Sequence, residues 1–167
     1  MQPPAGRDSA SGLRTRTLDN LPVIVRPGEK SDAAALGQLM GELGYPTRTS
    51  EMEMRLDAIS RDPEYRTFVA VSGGTVCGMI GTCCSKSFEH NNVGGRILSL
   101  VVSESVRGRG VGRMLIEVAE RDFASRNVRR IALNTRLTRE NAHLFYEHVG
   151  YTRNGYRYVK ELGHLAD

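Results

Sequence analysis

Tryptophan is absent from this chain, and its six tyrosines and four phenylalanines are not interleaved with the arginines. That excludes the alternation of stacking rings and basic side chains that single-stranded nucleic-acid binders use. No run approaches the roughly 18 to 20 apolar residues that a membrane helix needs, so no membrane partner is expected. The opening stretch Met1 to Asp8 has no apolar core, and no secretory leader is expected there. Cysteine is scarce and odd in number (Cys77, Cys83 and Cys84). This excludes a disulfide framework and predicts reduced thiols and a cytoplasmic setting. There is no C-x-x-C spacing, and His90, His143, His148 and His164 form no recognisable metal set. Adjacent Cys83 and Cys84 should point to opposite faces of a strand, which places one of them in the core. A covalent acetyl-cysteine role is the minor reading, because free cysteine is most often simply buried.

What the chain does have is an ordinary globular balance, 40% hydrophobic and 25% charged over 167 residues. Residues 1–20, rich in Pro, Ser, Arg and Gly, read as a disordered lead-in, 21–162 as a single domain and 163–167 as a short tail. The net charge of +4 is unevenly spread. Residues 107–139 hold nine arginines against three acids, whereas residues 42–64 hold six acids against three arginines. A basic half suits a polyanionic ligand, and an acidic half suits a cationic amine or an ordinary solvated helix face.

The hydrophobic pattern alternates between strand and helix periods. Val23 to Arg26 reads as a strand stopped by Pro27-Gly28. Ser31 should cap a helix running to about Leu43, and Ser50 a second one ended by Asp62-Pro63. Thr67–Val71 and Val76–Gly81 flank Ser72-Gly73-Gly74-Thr75, a hairpin signal. Further strands are predicted at 97–102, 130–135 and 157–162, with helices from Val111 and from Glu140 to His148. The sum is an α/β sandwich with a mixed, mostly antiparallel central sheet flanked by about four helices.

The most informative stretch is Arg107-Gly108-Arg109-Gly110-Val111-Gly112, set between the apolar run Ile97–Val102 and an amphipathic helix. The first amides of a helix lack intrahelical partners and carry the positive end of its dipole, so strand, glycine loop and helix together make an anion site. Glycines at 108, 110 and 112 let a phosphate approach the backbone, and Arg107, Arg109 and Arg113 add charge. A nucleotide P-loop needs Lys and then Ser or Thr after its last glycine, where this chain has Arg113-Met114. A dinucleotide fingerprint needs G-x-G-x-x-G and an acid closing the next strand. Here the spacing is G-x-G-x-G, and Ile131-Ala132-Leu133 runs into Asn134.

The loop resembles the signature R/Q-x-x-G-x-G/A of the GNAT superfamily of acyl-CoA-dependent N-acetyltransferases, matched by Arg107, Gly110 and Gly112. A second match lies downstream, where Ala142 and Tyr146 fit A-x-x-x-Y and Gly150-Tyr151 the closing G-[FY] pair. The resemblance covers roughly residues 22 to 162. It implies direct transfer of acetyl from acetyl-CoA to an amine within a ternary complex. It places the pantetheine arm on the backbone of Leu100, Val101 and Val102, with the Val102 amide facing the thioester oxygen. It places the phosphates on the stretch from Arg107 through Gly108, Arg109, Gly110, Val111 and Gly112 to Arg113. Tyr146 becomes the general acid for the departing thiolate, set against the plainer reading of a packed aromatic. Arg139 stands where the family commonly has Asn; Asn134 and Asn141 are polar neighbours that can also face the cofactor.

An alkyl amine is mostly protonated at neutral pH and attacks only after losing that proton. Glu104, Glu89 and His90 are equal candidates for the base, directly or through a water; Ser99 can carry such a water. His143 reads as structural. The leading expectation is an N-acetyltransferase for a small cationic amine. A protein or peptide acetyltransferase and a non-catalytic acyl-CoA sensor are the alternatives, and a homodimer is the default assembly.

Overall fold

The computed structural model describes residues 21–163; the predicted lead-in at 1–20 and all but Gly163 of the tail lie outside the described residues. Five strands form one sheet in sequence order: β1 (Val23–Pro27), β2 (Tyr65–Ser72), β3 (Thr75–Ser85), β4 (Gly94–Val102) and β5 (Ile131–Leu133). β1 to β4 are antiparallel and β5 joins β4 in parallel, which is the mixed sheet expected. Four α-helices accompany it: α1 (Ala33–Glu42), α2 (Thr49–Ser60), α3 (Val111–Ser125) and α4 (Glu140–His148). Among the described residues no helix is long and apolar enough to cross a membrane.

Alternation along the strands sorts the core into two layers. Val69, Val71 and Met79 pack with Leu36, Leu39, Met52 and Leu56 of α1 and α2 on one face. Ala70, Ile80 and Cys84 pack with Leu115, Ile116, Ala119 and Phe123 of α3 on the other, where Phe145 and Tyr146 of α4 join them. With both faces covered, Cys83 and Cys84 are both buried rather than one of them. Burial pushes all three thiols above their ordinary value, so they stay protonated and poorly nucleophilic.

Local chemistry explains the element boundaries. Gly73 and Gly74 both take positive φ (56° and 81°), as a two-residue hairpin turn between Ser72 and Thr75 requires. Neither predicted serine cap is used. A 3-10 turn, Lys30–Asp32, precedes α1, and the Asp32 carboxylate accepts the Glu29 amide (2.8 Å) and a bidentate pair from Arg26 (2.8 Å each). That guanidinium holds Asp32 below the ordinary carboxylate range against the opposing effect of burial. α2 starts two residues earlier than a Ser50 cap allows, with the Glu51 carboxylate bonded to the Arg48 amide (2.8 Å).

The strand predicted at 157–162 is not formed: residues 152–163 have no regular structure and are exposed, including Tyr156 and Tyr158. Strand propensity needs a ladder, and β5 offers a template of only three residues.

Candidate active site

β4 changes character half-way along. Gly81 pairs with Ser99 but Thr82 pairs with Ile97, so Leu98 is an extra residue, a β-bulge. The bulge shifts the phase of the strand. Ile97 faces the α3 layer, whereas Val101, four residues on, faces α1 and α2; Leu100 and Val102 lie against the α3 layer. Pairing with β5 covers only Gly95, Arg96 and Ile97. From Leu98 to Val102 the β5-facing side of β4 has no strand partner among the described residues. The predicted backbone segment Leu100–Val102 therefore sits on an open sheet edge, able to pair with an extended amide-bearing ligand.

The glycine loop closes one end of this opening. Gly108 and Gly110 take φ of +78° and +79°, with nothing within 4 Å of where a Cβ would stand. Such left-handed residues turn successive amides toward one point. Gly110 precedes α3, whose first intrahelical bond runs from Met114 N to Gly110 O (3.1 Å). The amides of Val111, Gly112 and Arg113 are thus left to an external acceptor. Gly112 has a different reason to be glycine: a Cβ there would meet Phe145 at 3.2 Å and 3.3 Å. It admits α4 rather than a phosphate.

The three loop arginines are not equivalent. Arg107 braces the loop, its Nε donating to Val102 O (3.0 Å) and its guanidinium meeting Glu104 (3.4 Å) and Glu42 (3.9 Å). Arg113 pairs along the helix with Glu117 (3.6 Å), and Arg109 is half-buried at the loop. Glu42, not singled out from the sequence, also accepts Ser103 Oγ (3.2 Å) and the Glu104 amide (2.9 Å), pinning the end of α1 to the exit of β4. An acid at the end of a helix gives no local signal of so distant a partner.

On the far side stands α4. Tyr146 is half-buried, edge-on to Phe145 (5.3 Å between ring centroids) and Tyr151 (5.9 Å). Burial pushes its phenol above the ordinary value, with the Arg139 charge opposing, so the proton is retained at neutral pH. The Tyr151 hydroxyl donates to Glu120 of α3 (3.1 Å), and burial, with that carboxylate adding to it, raises its phenol too. Arg139 crosses from the start of α4 to donate to the Leu43 carbonyl at the end of α1.

The base candidates do not form one cluster. Glu104 is exposed at the loop beside Arg107. Glu89 and His90 are exposed beyond the other end of β4, roughly eight strand steps or about 26 Å away. Ser87 Oγ donates to Glu89 (2.9 Å) and holds it below its ordinary range, while His90 Nε2 meets Arg130 Nη1 (3.1 Å). Asn134 is exposed at the end of β5, its amide beside Arg96 Nη2 and the Leu133 carbonyl. Asn141 is exposed on the first turn of α4. His143 is engaged on both ring nitrogens: its Nε2 donates to the Arg136 carbonyl (3.0 Å), leaving Nδ1 to accept from Arg153 (3.4 Å).

A glycine loop beside a half-open parallel strand pair narrows the possibilities, and the pattern of the Acetyltransferase (GNAT) family matches residues 34–151. The chain belongs to that family. This GNAT protein is 33% identical over 101 residues to the aminoalkylphosphonate N-acetyltransferase of Salmonella typhimurium strain LT2, a match covering 60% of this chain and 66% of that relative. Its fold is similar to a GNAT family acetyltransferase from Staphylococcus aureus, with TM-score 0.72 and 26% identity over 84% of this chain and 98% of that one. An aminoglycoside N-acetyltransferase solved with CoA is similar in fold at TM-score 0.77 and 15% identity, over 86% of this chain and 97% of that one. Acetyl-CoA is the acetyl donor of the family's acetyltransferases.

Proposed function

We propose that this chain is an acetyl-CoA-dependent N-acetyltransferase acting on the primary amine of a small acceptor, cationic at that amine in water. The observation that carries the reading is the glycine loop opening onto the unpaired half of β4. Acetyl-CoA supplies an acetyl group activated as a thioester. The amides of Val111, Gly112 and Arg113 bind its phosphates at the positive end of α3, where two open glycines leave room. The backbone of Leu100 to Val102 aligns the pantetheine arm, and the Val102 amide faces the thioester oxygen. Tyr146 holds the proton that the leaving thiolate needs, and its raised pKa keeps that proton in place until then. The relative named as an aminoalkylphosphonate acetyltransferase supports a small-molecule amine over a protein acceptor.

Thermal unfolding with acetyl-CoA, CoA, NAD and ATP tests the donor. A ligand at 100 times its dissociation constant adds about 2.7 kcal/mol, a rise of roughly 5 to 10 °C for a chain of this size. A shift with acetyl-CoA and CoA alone, followed by thiol release with a small amine, is the expected result. No shift with either would overturn the reading; a shift without thiol release on any amine would leave only a binding protein.

A further inference from the structure

Two arginines outside the phosphate loop bridge the connection after β5 to the turn between α1 and α2. The Arg136 guanidinium lies over the Tyr45 ring (5.3 Å from Cζ to the centroid), and its Nη2 donates to the Tyr45 hydroxyl (3.2 Å). Arg139 donates to the carbonyl of Leu43, two residues earlier on the same turn. Each spends part of its donor fork on a neutral oxygen, and among the described residues neither has a carboxylate within 4.0 Å. This differs from Arg26, Arg66, Arg107 and Arg126, all of which meet acids. Arg136 is also fixed from behind, because His143 holds its carbonyl and Arg153 holds His143.

Two cations fastened to one turn, with no carboxylate beside either, favour an anion that binds there. The ring and hydroxyl contacts hold the guanidinium against the turn, and its planar fork is suited to two oxygens of one anion. The phosphates of the donor are already served by the amides of α3, on the opposite face of the sheet from α1 and α2. Tyr45 belongs to the α1 and α2 side and is half exposed, so the pair is reachable from there.

We infer that Arg136 and Arg139, braced by Tyr45 and Leu43, form an anion subsite for the acceptor. The amine substrate is then a small zwitterion bearing a phosphonate, phosphate or carboxylate group. The inference rests on the N-acetyltransferase reading above, and the experiment separates the two. Steady-state acetylation is measured with 2-aminoethylphosphonate, with β-alanine and with ethylamine, which lacks the anion, for the native protein and Arg136→Gln; acetyl-CoA affinity is measured for both proteins. The native protein should prefer the anionic acceptors. Arg136→Gln should lower kcat/KM on them by about 10- to 100-fold, the effect of one charge-assisted bond, and chiefly through KM. Turnover of ethylamine and affinity for acetyl-CoA should be unchanged. The larger loss, on phosphonate or on carboxylate, identifies the anion. An equal loss on all three amines, a loss of acetyl-CoA affinity, or a native protein indifferent to the anion would overturn the subsite while leaving the acetyltransferase reading intact. No turnover of any amine by a protein that binds acetyl-CoA would instead overturn the acceptor reading, and the subsite with it.

Discussion

From Gly95 to Ile97, β4 is paired on both sides, and Gly95 lies so close to Phe123 that a Cβ would come within 2.9 Å of its ring. From Ser99 to Val102 the same strand is paired with β3 alone and leads into the glycine loop. One extra residue at the bulge separates a segment closed into the core from a segment left with an open edge. The difference teaches that the proposed site depends on a withdrawn strand partner rather than on a special side chain. Backbone amides then become available where a continuous sheet would have used them.

Substitutions on each side of the bulge can break that comparison. Gly110→Asp places a carboxylate at the mouth of the amide cluster and should lower acetyl-CoA affinity beyond detection by calorimetry. Its φ of +79° adds a backbone cost of about 1 kcal/mol, which leaves the fold standing. Retained affinity in a folded Gly110→Asp protein would remove the phosphate assignment. Tyr146→Phe should preserve donor affinity and lower kcat by about 100-fold, the smaller end of general acid catalysis. Equal kcat values would make Tyr146 a packing residue. Gly95→Ala, on the closed side, forces a methyl group against Phe123 and Val128 and should destabilise by about 1 to 3 kcal/mol. Its melting temperature should fall while the folded protein binds acetyl-CoA as before. A loss of affinity equal to that of Gly110→Asp would show that the two halves of β4 are not independent.

The features legible in the sequence were those written locally. The hairpin at 72–75 follows from two adjacent glycines, and the glycine loop between β4 and α3 from strand, glycines and amphipathic helix in succession. The bulge was invisible because Ile97, Leu98, Leu100 and Val101 form a nearly continuous apolar run with no alternation to interrupt. Glu42 and Arg139 were unreadable in their bracing roles for another reason: their partners lie 61 or more positions away in the chain. The segment 157–162 has the composition of a strand, but composition carries no information about whether a neighbouring edge is long enough to receive it. The early helices, whose serines looked like caps, start instead on carboxylates three residues into the turn, Asp32 and Glu51.

The Phe145 ring over Gly112 makes the loop unevenly tolerant of change. Positions 108 and 110 open onto free space, so a side chain there meets no neighbour and costs only the backbone strain of a positive φ. Position 112 touches the helix that carries Tyr146 on the very next residue, so one added methyl group there disturbs donor handling and proton handling together. A lineage of such proteins can therefore retune the rim of the loop step by step, whereas its root changes only in concert with α4.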